Sequence, residues 1–185
     1  MTAQIGDVFK YKGKKYIIAA NSEPINFNPE DYEIYPMATS TACWRGYWCE
    51  YNVSESGLVL DVLHVSSFIY PIINGISPEE DEFDATYRAL NIKIPFTGKL
   101  LVGDGLVRYI HMGFQYPWAY RELLELNFEE GRLTSERDLS ALAEQVRKDP
   151  EITKSIGKTY NDNLFEYIND CFSLDYKEKA WWLGE

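Results

Sequence analysis

Cys43, Cys49 and His64, with the carboxylates Glu50 and Asp61, are the residues of this chain whose types and spacing invite chemistry. All five fall in one hairpin signature. It runs Thr41-Ala42-Cys43-Trp44-Arg45-Gly46-Tyr47-Trp48-Cys49-Glu50-Tyr51, turns at Ser54-Glu55-Ser56-Gly57, and returns from Leu58 to Val65. A four-residue loop there pairs Val53 with Leu58, and by continuation Tyr47 with His64 and Glu50 with Asp61. Alternation then puts Cys43, Arg45, Tyr47, Cys49 and Tyr51 on one face with His64. Trp44, Gly46, Trp48 and Glu50 share the other with Val59, Asp61, Leu63 and Val65.

A shared metal fails on distance. Cys43 and Cys49 are six residues apart on one strand, about 20 Å by strand rise, whereas zinc–sulfur bonds are about 2.3 Å. Buried unpaired thiols are the favoured reading. A Cys49–His64 nucleophile pair lies diagonally within reach, with imidazole to draw the thiol proton, but no third group orients it. Glu50 facing Asp61 could form an acid/base dyad as in a glycosidase, or hold a cation. Facing carboxylates repel unless something cationic lies between them, so a solvent-facing pair beside Lys or Arg is the commoner outcome. His111, in Tyr109-Ile110-His111-Met112-Gly113, reads as a strand-end histidine bonded to a loop. No phosphate-cradling glycine loop, nucleophile elbow, zinc-protease helix or kinase signature is present, and no metal or cofactor is expected.

The elements that must carry these groups are mostly hairpins. Asp7–Tyr11 and Lys15–Ala20 flank a turn at Lys12-Gly13-Lys14. A second pair is expected from Phe96 to Val102 and Leu106 to Met112, with Gly103-Asp104-Gly105 as its turn. A third runs from Glu122 to Phe128, turns at Glu129-Glu130-Gly131, and restarts at Arg132-Leu133. Residues 21–40 read as a long loop with one helical turn at Pro29–Tyr32. Residues 66–95 are irregular, with a short helix or edge strand over Asp84–Leu90. A helix is expected from about Ser135, capped by Thr134 or Ser135, with Leu139, Leu142, Ala143 and Val146 at helical spacing up to Pro150. A second spans about Asn163–Phe172, with Leu164, Phe165, Ile168 and Phe172 on one face. Trp181 and Trp182 are expected to dock on the sheet or at an interface. The fold class is α+β, mainly β: a curved antiparallel sheet, barrel or half-barrel like, with two C-terminal helices. One domain over 1–185 is expected, with a β meander over 1–134 and a helical segment over 135–185.

Composition narrows the partners. A net charge of −11 disfavours nucleic acid, and the basic group Lys10, Lys12, Lys14 and Lys15 sits at a hairpin turn. The acidity would steer a basic protein partner. Three cysteines without a disulfide framework read as a reduced, cytoplasmic setting. No secretory signal and no apolar run of membrane-spanning length appear, so no membrane association is expected. The oligomeric state is open.

The stretches Thr41–Tyr47, Phe96-Thr97-Gly98-Lys99-Leu100 and Tyr109-Ile110-His111-Met112-Gly113-Phe114 resemble a group of uncharacterised bacterial proteins. The resemblance spans roughly residues 41–133 and implies a bacterial, cytoplasmic setting, with no activity attached.

The sequence therefore points to a non-catalytic protein that binds another protein, in concrete form an immunity or inhibitor protein of a toxin system. Glu79, Glu80, Asp81 and Glu82 would steer the partner, and Trp118 and Tyr120 would anchor it. One alternative is a small-molecule binder of lipocalin-like form, with Trp44, Trp48, Tyr109 and His111 lining a cavity. The other is a hydrolase using Cys49 with His64, or Glu50 with Asp61.

Overall fold

The computed structural model describes residues 3–110, 112–152 and 164–183. Strands β1 (Val8–Tyr11) and β2 (Lys14–Asn21) form the opening hairpin, as expected. Lys12 and Gly13 both adopt positive φ (47° and 78°), the two-residue turn whose twist suits a hairpin. The loop that follows has its expected helical turn at Pro29–Tyr32, where the Asn28 side chain accepts from the Glu30 amide. Strands β3 (Tyr47–Ser54) and β4 (Gly57–Val65) make the second hairpin, with Val53 opposite Leu58 as anticipated. Short strands β5 (Glu79–Glu80), β6 (Ala85–Tyr87) and β7 (Ile92–Lys93) extend the sheet beyond β4. A meander of β8 (Gly98–Leu106), β9 (Tyr120–Glu129) and β10 (Arg132–Asp138) completes it.

All ten strands belong to one sheet, ordered β10-β9-β8-β2-β1-β3-β4-β6-β5 with β7 on β4. Among the described residues every strand-to-strand pairing is antiparallel except β1 with β3, so the sheet is mixed. It curls until the tips of two hairpins meet, where the Leu58 amide donates to the Gly131 carbonyl (2.7 Å). The sheet does not close into a barrel. Inside the curl, Phe9, Tyr51, Leu60, Leu63, Leu100, Leu126 and Phe128 form the main core. Outside it, Ala20, Leu101 and Leu123 are covered by α1 (Ser140–Lys148), which buries Ala143 and Val146 against them. Further helices are α2 (Leu164–Phe172) and α3 (Tyr176–Lys179), followed by a 3-10 turn at Trp181–Leu183.

Two expectations about elements are corrected. Gly103-Asp104-Gly105 is not a turn: β8 runs straight through it and pairs with β9, Gly103 opposite Leu123 and Leu106 opposite Tyr120. Gly103 serves packing instead, since a Cβ there would clash with the Tyr120 ring. The anticipated return strand over Leu106–Met112 consequently does not form among its described residues. The first helix begins at Ser140, because residues up to Asp138 stay in β10 beside β9. Thr134 and Ser135 bond back to Asn127, and ahead of the N-cap Leu139 the Asp138 carboxylate accepts from the Ser140 amide (2.8 Å).

Candidate functional site

One irregularity decides what the central hairpin presents. Between Glu50 and Tyr51 the β3–β4 register slips by one residue, with Asp61 as the extra residue of β4. Beyond that point His64 faces Trp48 rather than Tyr47, and Glu50 faces Val62 rather than Asp61. Leu58, Leu60, Leu63 and Val65 can then all reach the core, which strict alternation forbids. Trp48, Glu50 and His64 share the outer face.

The outer face of this hairpin is a charge network. Lys10 sits between the two carboxylates, 3.0 Å from Glu50 and 2.9 Å from Asp61, and Lys15 approaches Glu50 at 3.2 Å. The cation required between the acids is thus a lysine of the chain itself. Burial works to raise the Glu50 pKa, but hydrogen bonds from Lys10 and Lys15 prevail and hold it below the usual carboxylate value. The His64 ring stacks on Trp48 (3.6 Å between centroids). Its Nδ1 is 3.1 Å from Thr86 Oγ1 and its Nε2 3.4 Å from Glu50. Burial lowers the His64 pKa, against the opposing pull of Glu50.

Neither catalytic pair is assembled. Cys49 pairs with Leu63 and lies in the core, on the opposite face of the sheet from His64. Burial raises its thiol well above the ordinary value, with nearby Asp7 adding to the effect, so a thiolate is disfavoured. Asp7 itself accepts from the Cys49 amide (2.7 Å) and pairs with Arg45. Cys43 lies before β3 and its Sγ donates to the Tyr47 carbonyl. All three cysteines are free thiols. No group of three or more potential metal ligands occurs among the described residues.

Past the end of β4 the chain builds a different surface. Ser66 donates to Asp84 and shares a hydrogen bond with Thr39 (2.9 Å). Ser67 Oγ donates to the Tyr35 carbonyl (3.0 Å), and Tyr70 OH to the Phe83 carbonyl (2.9 Å). These bonds tie residues 35–39, 66–70 and 83–84 into one surface. Large apolar side chains stand out from it: Phe68 is 88% exposed, Ile69 64%, Tyr35 62% and Phe83 62%. Beside them Glu79, Glu80, Asp81, Glu82 and Asp84 are all exposed, and Arg88 offsets only Glu79 (3.0 Å). An open pocket of ≈ 330 Å³ adjoins the patch, lined by Thr39, Trp48, His64, Glu79, Asp81 and Asp84.

The remaining predicted residues scatter. Trp44 stacks on Phe172 of α2 (4.8 Å) and Tyr109 is exposed in the stretch after β8. With Trp48 out on the β3 face, these aromatics line no common cavity, and the interior of the curl is packed with side chains. His111 lies outside the described residues. Trp118 and Tyr120 are not surface anchors: both are buried, Trp118 completely, beneath α1 and beside Tyr116. Of the expected α2 face, Leu164 and Phe165 are exposed, and Cys171 is the buried residue. Trp182 docks on the outer core while Trp181 stays half exposed.

Sequence reasoning missed Tyr35, Phe68, Ile69 and Phe83. The available signal was four large apolar residues in segments too rich in Pro, Gly, Ser and acid to be strands. No helix among the described residues is long and apolar enough to cross a membrane. No family model, curated protein or solved structure matches the chain.

Proposed function

We propose that the chain is a non-catalytic protein-binding module that engages a basic partner through the patch of Tyr35, Phe68, Ile69 and Phe83. The observation that carries this reading is the pairing of that apolar patch with the acidic run Glu79–Asp84 in one bonded group of loops. Contiguous exposed apolar surface rimmed by polar groups is how protein interfaces are built. Unoffset carboxylates at the rim speed the approach of a cationic partner and fix its orientation. The partner chemistry that fits is an apolar anchor flanked by Lys or Arg. An immunity or inhibitor role against a basic toxin in a bacterial cytoplasm is the concrete form we favour. Three free thiols suit a reducing compartment.

The test is site-specific photo-crosslinking in the cell of origin, with the reactive group at position 68 or 83 and a control at exposed Glu144 on α1. A single basic protein captured from both patch positions, and lost when Glu80, Asp81 and Glu82 are changed to Lys, is the expected result. Identical capture from position 144 would refute the reading.

A further inference from the structure

We propose a second site: the recess between the outer face of β8–β10 and the C-terminal turn binds a phosphate monoester of a flat ring. The recess has a volume of ≈ 770 Å³ and is lined by Ser22, Lys99, Arg137, Tyr176, Lys177 and Trp181, among others. That is the size range of small-ligand sites. Three cationic side chains, Lys99, Arg137 and Lys177, line it against one lining carboxylate, Asp175, so its lining is net positive in a chain whose net charge is −11.

The donors in this recess are held but unspent. Glu125, which is buried to 4% exposure and does not itself line the recess, accepts a hydrogen bond from Tyr176 OH. Lys99 Nζ is 3.9 Å from Glu125 and Arg137 Nε is 3.5 Å away, attracted to the carboxylate without a short hydrogen bond to it. Register places them together: Arg137 of β10 pairs with Glu125, and Lys99 of β8 pairs with Asn127, two residues along β9. Among the described residues neither side chain makes a hydrogen bond, and the Lys177 side chain makes none either. Lys99 also lies over the Tyr176 ring, 5.6 Å from its centroid. A guanidinium fork and two ammonium groups match phosphate oxygens. Trp181, 51% exposed at the mouth, offers the face for a ring.

Glu125 holds Lys99 and Arg137 together at one side of the recess through long contacts, and an incoming dianion binds the N–H groups those contacts leave over. Arg137 is the specificity residue, since its planar fork binds two oxygens of one group in a fixed geometry. This site stands apart from the loops of the protein-binding patch and does not rest on that reading.

Phenyl phosphate titrated into the full chain at low salt, followed by NMR of the Trp181 indole N–H, tests the proposal. Saturable binding is expected, about five-fold tighter than inorganic phosphate because of ring stacking. The Lys99→Gln/Arg137→Gln pair should weaken it about tenfold or more. Exposed Lys177→Gln, which leaves Glu125 and its neighbours intact, should weaken it about threefold while the melting temperature stays unchanged. Trp181→Ala, followed instead by the Tyr176 and Lys177 backbone amide signals, should reduce phenyl phosphate to the affinity of inorganic phosphate. Non-saturable shifts, or equal affinity in the wild type and Lys177→Gln with Trp181 unperturbed, would overturn it.

Discussion

The outer face of the sheet is built in two ways. Over the part of β8 and β9 beneath α1 it is apolar: Leu101 and Leu123 are fully buried there, and Trp118 seals the side. Over β1, β3 and β4 the same face carries Lys10, Trp48, Glu50 and His64, and among the described residues no helix covers it. One half is stabilised by removing apolar surface from water, the other by charges that neutralise one another at its boundary. The difference shows that a dense polar constellation is not in itself a site. Every carboxylate of the network has a lysine of the chain, whereas the exposed acidic run at Glu79–Asp84 is largely unoffset.

Mutations should separate the two halves by size of effect. Leu123→Ala, under α1, should cost about 2–5 kcal/mol in chemical denaturation, the range for emptying a closed core site. Placing Ala at Gly103 drives a methyl into the Tyr120 ring and should cost about 1–3 kcal/mol in the same assay. On the polar half, Glu50→Gln should cost about 1–2 kcal/mol, because Lys10 and Lys15 both reach solvent. A loss as large as that of Leu123→Ala would erase the contrast.

Acidity gives the finest distinction. The His64 pKa lies below its ordinary value of 6.5, so the unfolded chain takes up its proton first as pH falls. Stability should decline below about pH 6.5, and His64→Gln should flatten that part of the melting-temperature profile. Glu50, with its pKa lowered, contributes above the usual carboxylate range and loses that contribution only at lower pH. Lys10, with its pKa raised by Asp61 and Glu50 against burial, contributes below its usual amine value and fails only at strongly alkaline pH. An unchanged acid slope in His64→Gln would place the titration elsewhere.

The hairpins of this fold were legible wherever a turn demands a special backbone. Lys12-Gly13 and Glu130-Gly131 both adopt positive φ and both turn where the sequence suggests. Gly103 misled because glycine also serves close packing, and nothing local distinguishes a turn from a strand crossed by a tyrosine ring. The Asp61 bulge was invisible because it answers a tertiary demand, the need of Leu58, Leu60, Leu63 and Val65 to face one core. With it went the facing of His64 and Cys49. Trp118 and Tyr120 looked like anchors since aromatic residues suit interfaces and interiors alike, and only the position of α1 decides between them. The acidic run was readable as exposed, yet its apolar companions lie in separate loops that hydrogen bonds alone bring together.

Strand β1 has only four residues, yet it joins β2 on one side to β3 on the other. Among the described residues it is the single ladder between the β10-β9-β8-β2 half and the β3-β4-β6-β5 half. Its parallel seam with β3 holds three residue pairs, from Val8–Glu50 to Lys10–Asn52, about forty positions apart in the chain. Such a seam forms late, after each half has its own local pairings, because the intervening loop must first be closed. The amide hydrogens along Val8–Lys10 and Glu50–Asn52 are therefore where the sheet should part first, and exchange with solvent there would report the opening of the whole curl.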